Sequence, residues 1–144
     1  MPKVNVGGAQ IYYEIQGQGT PLVLTTGQGT GHEARARLVD GLARQHTVLS
    51  YDQRGTGRSD RVARQGHSIE ELAQDITALM DSAGFSQAHV IGLSTGTGKA
   101  TALAASHPQR VTRLVLGAPW THGDAELQVL QNMRNCLLYT SRCV

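Results

Sequence analysis

One stretch of the sequence has the residue types and spacing of nucleophilic chemistry: Gly92-Leu93-Ser94-Thr95-Gly96, a G-x-S-x-G pattern behind an apolar run. A serine hydroxyl is presented as a nucleophile when a tight strand-to-helix turn thrusts its Oγ clear of the backbone. Only small neighbours fit beside such a turn, and Gly92 and Gly96 leave that room. The backbone N–H of Thr95, at the start of the following helix, would then point at the oxyanion of a tetrahedral intermediate. Ser94 is therefore the expected nucleophile and Thr95 one oxyanion donor. The plainer reading is a Gly- and Ser-rich turn with no chemistry.

A different class of function, nucleotide binding, is suggested by Ser94-Thr95-Gly96-Thr97-Gly98-Lys99. A phosphate-cradling loop needs a glycine five positions before Gly98 and a Ser or Thr after Lys99. Leu93 and Ala100 stand there instead, and Gly27-Gln28-Gly29-Thr30-Gly31 lacks the dinucleotide spacing. A third reading is a non-catalytic scaffold or fragment.

The elements that must position Ser94 are legible in the hydrophobic pattern. Val4 to Val6 and Ile11 to Gln16, around Gly7-Gly8, predict an antiparallel hairpin. Short apolar runs then alternate with amphipathic ones. The strands expected are Leu22 to Thr25, Thr47 to Tyr51, Ala88 to Leu93 and Val111 to Leu116, and the helices His32 to Ala43, Ser68 to Ala83 and Thr95 to Ser106. This alternation implies an α/β class with a mostly parallel sheet covered by helices on both faces. Ser68 stands three residues before Glu71, as in a capping box, and Gly84 is placed to end that helix. The helix after Ser94 is rich in small residues (Ala100, Ala102, Ala104, Ala105), which suits close approach to the sheet, and Pro108 stops it.

The order of motifs adds a family resemblance. Thr25-Thr26-Gly27-Gln28-Gly29, Tyr51-Asp52-Gln53-Arg54-Gly55-Thr56-Gly57-Arg58-Ser59-Asp60, the G-x-S-x-G and His107-Pro108-Gln109-Arg110-Val111 follow the hairpin in sequence. Over roughly residues 3 to 135 this resembles the α/β-hydrolase fold family, and its esterase and lactonase branch in particular, of which 3-oxoadipate enol-lactonase is a typical member. The resemblance implies a serine hydrolase that cleaves a small carboxylic ester or lactone through an acyl-enzyme, with no metal or organic cofactor. It implies the backbone N–H of Gln28 as second oxyanion donor, although Thr26 stands where the family usually has histidine. A serine at the elbow argues against haloalkane dehalogenase and epoxide hydrolase chemistry, which use aspartate there. Carbon–carbon bond hydrolases, peptidases and perhydrolases stay open. Asp52 and Arg54 read as anchors between loops.

By the same resemblance the acid follows a later strand and the histidine comes last. None of His32, His46, His67, His89, His107 and His122 occupies that place, so the acid and base of the triad are expected outside this chain. Asp124 lies beyond the sixth strand, where some relatives place an acid, but capping the next helix is its plainer role, and His122 reads as a solvated loop residue. The expected divisions are 1–123 as the N-terminal part of the hydrolase core, ending after about the sixth strand, and 124–135 as the start of a lid. The remaining residues, 136–144, read as a non-native tail. Cys136-Leu137-Leu138-Tyr139-Thr140-Ser141 back-translates as TGT CTC TTA TAC ACA TCT, which resembles the transposon mosaic end used to tag sequencing libraries. Both cysteines of the chain, Cys136 and Cys143, fall there. The chain as it stands is expected to be inactive and to leave its last strand uncovered.

Composition bounds the partners. The 144 residues are 40% hydrophobic and 17% charged, an ordinary globular balance. A net charge of +2 with scattered Lys and Arg supplies no basic stripe for nucleic acid. There is no signal-like start and no run of about 18 apolar residues, so a cytoplasmic protein acting on a small molecule, away from membranes, is expected.

Overall fold

Gly7 and Gly8 turn the chain back on itself between β1 (Lys3–Val6) and β2 (Ala9–Gln16), which pair antiparallel from Val6↔Ala9 to Lys3↔Tyr12. The computed structural model describes residues 2–27, 32–61 and 67–119. After the hairpin come β3 (Thr20–Thr25), α1 (His32–Leu42), β4 (His46–Tyr51), α2 (Ile69–Ser82), β5 (Ala88–Leu93), α3 (Gly96–Ser106) and β6 (Val111–Gly117). A single 3-10 turn, Pro108–Arg110, separates the last two. Each element expected from the hydrophobic pattern is present, with ends moved by no more than two residues.

Among the described residues the sheet has six strands in the order β1-β2-β4-β3-β5-β6. β2 lies antiparallel to β4, whereas β3 pairs parallel with β4 and β5, and β5 with β6. Side chains alternate between the two faces of a strand, so the continuous apolar runs of β3, β4 and β5 need cover on both sides. On one face Val23, Leu49 and Val90 are buried with Ile76, Leu79 and Met80 of α2 and Ala100 and Leu103 of α3. On the other, Leu22, Leu24 and Val48 meet Val39 of α1. Each fully buried aliphatic side chain contributes about 1.5–3 kcal/mol.

Helix ends are fixed locally. The Glu71 amide donates to Ser68 Oγ at 3.1 Å while the Ser68 amide donates to Glu71 Oε2 at 3.0 Å, so the capping box is complete. At the other end Gly84 N–H donates to Asp81 O and Phe85 N–H to Met80 O. That paired pattern closes α2 with Gly84 at a left-handed φ of +72°. β6 is the exposed margin: Leu114, Val115 and Leu116 are 37%, 55% and 37% accessible. The uncovered last strand expected from the sequence is thus present among the described residues. Residues 120–144, including the expected lid and tail, lie outside them.

Candidate active site

Ser94 follows the C-terminal end of β5, an internal parallel strand between β3 and β6, and precedes α3. Its φ is +55°, a left-handed conformation that costs a residue with a Cβ about 1–3 kcal/mol, and its side chain is exposed. The surroundings over-determine that conformation. The Ser94 amide donates to Gly117 O at 2.9 Å, and Ser94 O accepts from the Thr97 amide at 2.9 Å and from Thr97 Oγ1 at 2.6 Å. The flanking glycines are enforced by contact: a Cβ on Gly96 would lie 2.3 Å from Thr25 O, and one on Gly92 would lie 2.7 Å from Gly96 O. β3, β5 and α3 therefore approach closer around Ser94 than any side chain would allow. Thr95 has helical dihedrals, φ −62° and ψ −16°, and is the N-cap residue of α3. Its amide belongs to the positive end of that helix.

The loop after β4 is tied to the hairpin and to two helices. Asp52, 1% exposed, accepts from Arg35 Nη2 of α1 at 2.7 Å and from the Arg58 amide at 3.0 Å. Arg54 donates twice to Asp75 of α2, by Nε at 2.7 Å and by Nη2, and also reaches Val6 O of β1 at 3.2 Å. Gly57, at φ +53°, passes so close to Asp52 that a Cβ would meet its Oδ2 at 2.3 Å. Ser59 Oγ donates to Asp52 O and accepts from the Tyr12 amide at 2.8 Å, and the Asp60 amide donates to Gln10 O at 2.9 Å. The Asp52 to Asp60 string is thus spent on holding the loop, and Asp52 and Arg54 serve as the anchors the sequence suggested.

Lys99, in the first turn of α3, is 2% exposed. Its ammonium donates to Thr26 O at 3.1 Å and to Gln53 Oε1 at 2.8 Å, and lies 5.7 Å from the centre of the Tyr51 ring. Burial pushes its pKa down from 10.5 to about 8; the charge of Asp75 opposes the shift and that of Arg35 adds to it. The Tyr51 hydroxyl shares a 2.9 Å hydrogen bond with Thr25 Oγ1, and burial raises its pKa. An ammonium directed inward at Thr26 and Gln53 does not serve a phosphate cradle.

Of the sequence-derived site residues, Ser94 and Thr95 stand together at the elbow, while Gln28, His122 and Asp124 lie outside the described residues. Thr26 and Gly27, which lead to Gln28, adjoin the elbow through the contacts of Thr25 with Gly96 and of Thr26 with Lys99. His46 and His89 sit at the opposite, N-terminal ends of their strands, with ring centres 5.9 Å apart. His107 follows α3, and His67 Nδ1 lies 3.7 Å from Glu71. Among the described residues no histidine is bonded to Ser94, no group of three or more His, Cys, Asp or Glu is placed to hold a metal, and no helix is long and apolar enough to cross a membrane. Sequence reasoning gave no role to Tyr51, Arg35 or Asp75 and weighed Lys99 only as part of a phosphate loop. The available signals were a lysine in a small-residue helix and an aspartate among the apolar positions of α2.

The family described as alpha/beta hydrolase fold matches residues 20–135. A protein carrying the carbamate hydrolase name RutD, from Azorhizobium caulinodans, is 38% identical over 141 residues, covering 98% of this chain and 53% of its own length. The enol-lactonase from Burkholderia xenovorans LB400 superimposes with a TM-score of 0.72 at 36% identity, over 78% of this chain and 45% of that one. Est816, described as an N-acyl homoserine lactone degrading enzyme, gives a TM-score of 0.75 at 35% identity, over 80% and 44%. The chain spans about half the length of the curated relatives it matches. Sheet order, elbow and similarity agree, and the chain belongs to the α/β-hydrolase fold family.

Proposed function

We propose that this chain is the nucleophile-bearing half of a serine hydrolase that acts on a small carboxylic ester or lactone. The observation that carries the reading is Ser94: an exposed non-glycine residue held at φ +55° between an internal parallel strand and a helix N-terminus. In the proposed reaction Ser94 Oγ attacks the carbonyl carbon and passes its proton to a histidine base. The carbonyl oxygen becomes an oxyanion facing the amides of Thr95 and Gln28. The carbon–oxygen bond to the leaving alcohol then breaks, the alcohol takes the proton from the histidine, and water releases the acid from the acyl-enzyme. In a lactone the leaving alcohol stays attached to the acid. Likeness to lactone-degrading proteins supports this substrate class, and the carbamate hydrolase name of a relative keeps a carbamate as the second reading.

The histidine and its acid are proposed to lie in sequence that continues the core beyond residue 123, with 124–135 beginning a lid and 136–144 being adapter-derived. A cytoplasmic, cofactor-free enzyme is the setting proposed. Long-read sequencing of the source DNA across the codons for Asn132 to Ser141 tests the continuation. A frame that runs on through an Asp and then a His, each after a predicted strand, is expected; a native stop after Val144 would leave a non-catalytic fragment. For the chemistry, the full-length protein should hydrolyse 4-nitrophenyl acetate or a simple lactone, and Ser94→Ala should lower kcat by at least about 10⁴-fold with the fold retained. Turnover undiminished by Ser94→Ala would overturn the assignment.

A further inference from the structure

A lysine is an expensive choice at position 99. The side chain is 2% exposed on the face of α3 that packs with Ala100 and Leu103, where an apolar residue of similar length would avoid desolvating a charge. Among the described residues the ammonium has no carboxylate bonded to it. Asp75 of α2 is committed to Arg54, and Asp52, after β4, to Arg35 of α1. Its contacts are instead two neutral oxygens from different segments, Thr26 O after β3 and Gln53 Oε1 after β4, with the Tyr51 ring beneath. What the ammonium supplies, and an apolar side chain would not, is a charge-assisted tie from the helix behind Ser94 to the backbone leading into the loop after β3.

That segment is fixed at two neighbouring points. Thr25 O lies against the bare Cα of Gly96, and Thr25 Oγ1 bonds the Tyr51 hydroxyl. One residue on, Thr26 O is held by Lys99, two residues before Gln28. Resting on the hydrolase reading above, we infer that Lys99 is a positioning residue for the proposed oxyanion site: its buried ammonium fixes the Thr26 carbonyl, and with it the backbone that enters the loop after β3, relative to α3. It touches no reacting atom. An oxyanion donor acts by standing in place before charge develops, so a shift of the loop registers in the transition state and not in ground-state binding.

The test uses the full-length protein with Lys99→Met, which retains length and apolar volume and removes the donors. Thermal unfolding, steady-state kinetics on one activated ester, and inhibition by an alkylboronic acid, whose tetrahedral adduct with serine mimics the oxyanion, are measured together. The expected result is a Tm equal to or above that of the parent, KM within about twofold, kcat lowered about tenfold to a hundredfold, and boronate Ki raised by a matching factor. Lys99→Arg, which keeps donors, is expected to recover part of kcat. A kcat within twofold of the parent, or Tm and kcat falling together without the matching boronate shift, would overturn the inference. Ser94→Ala in the same series separates the two readings: if it stays active the hydrolase assignment fails and the inference with it, whereas an inactive Ser94→Ala beside an unimpaired Lys99→Met refutes the inference alone.

Discussion

At the scale of residues, the described part of the protein is marked by buried charge. Arg35–Asp52 and Arg54–Asp75 place two ion pairs in the interior, with side chains between 1% and 10% exposed. Such pairs do little for stability compared with apolar packing, but removing one partner strands the other. Asp75→Leu is therefore expected to cost about 3–5 kcal/mol, read from urea unfolding of the full-length protein; a loss below about 1 kcal/mol would mean that Arg54 finds water or another partner. Lys99 gives a second residue-level outcome. Its folded-state pKa of about 8 lies below its ordinary 10.5, so between those values the unfolded chain binds more protons than the folded one. Stability drawn from this group must then rise with pH across that window. The difference in unfolding free energy between parent and Lys99→Met should climb in favour of the parent from pH 8 to 10, and a flat difference would place the ammonium in water. The sequence showed Asp52 and Arg54 as anchors because of their motif. It could not show their partners, which lie 17 and 21 residues away in the chain and are joined to them only by folding.

At the scale of elements, the strand-to-helix turns carry the design. Six strands and three helices were legible because each combines the correct hydrophobic period with a local stop signal: Ser68 and Glu71 opening α2, Gly84 closing it, Pro108 ending α3. Strand order was not legible, since the placement of β4 between β2 and β3 depends on pairings such as Tyr13↔Tyr51 that no local pattern encodes. The tight turn at Ser94 was legible from its G-x-S-x-G pattern, yet the reason for its glycines appears only in three dimensions, where Gly96 lies against the Thr25 carbonyl. Gly96→Ala should accordingly force α3 away from β3, at about 1–3 kcal/mol and with loss of Ser94 reactivity, whereas Ser68→Ala should cost about 1 kcal/mol through the lost cap and leave Ser94 reactivity intact. Chemical denaturation paired with the rate of ester turnover separates the two; equal behaviour of the two variants would contradict the role given to the elbow.

At the scale of the molecule, the described sheet ends at β6, whose Leu114, Val115 and Leu116 are exposed. An apolar margin of this kind pairs with further structure or aggregates. The chain matches about half of each of the relatives named above. The 144 residues alone are therefore predicted to be poorly soluble and to hydrolyse activated esters no faster than their Ser94→Ala variant; a soluble, cooperatively melting monomer would show that β6 needs no cover. The central claim, that Ser94 is the nucleophile, is tested most directly by treating the full-length protein with a fluorophosphonate and mapping the adduct by peptide mass spectrometry. A single adduct on the peptide containing Ser94, appearing in step with loss of esterase activity, is the result predicted. Inactivation with the adduct on another residue, or full turnover after Ser94 has been modified, would contradict it.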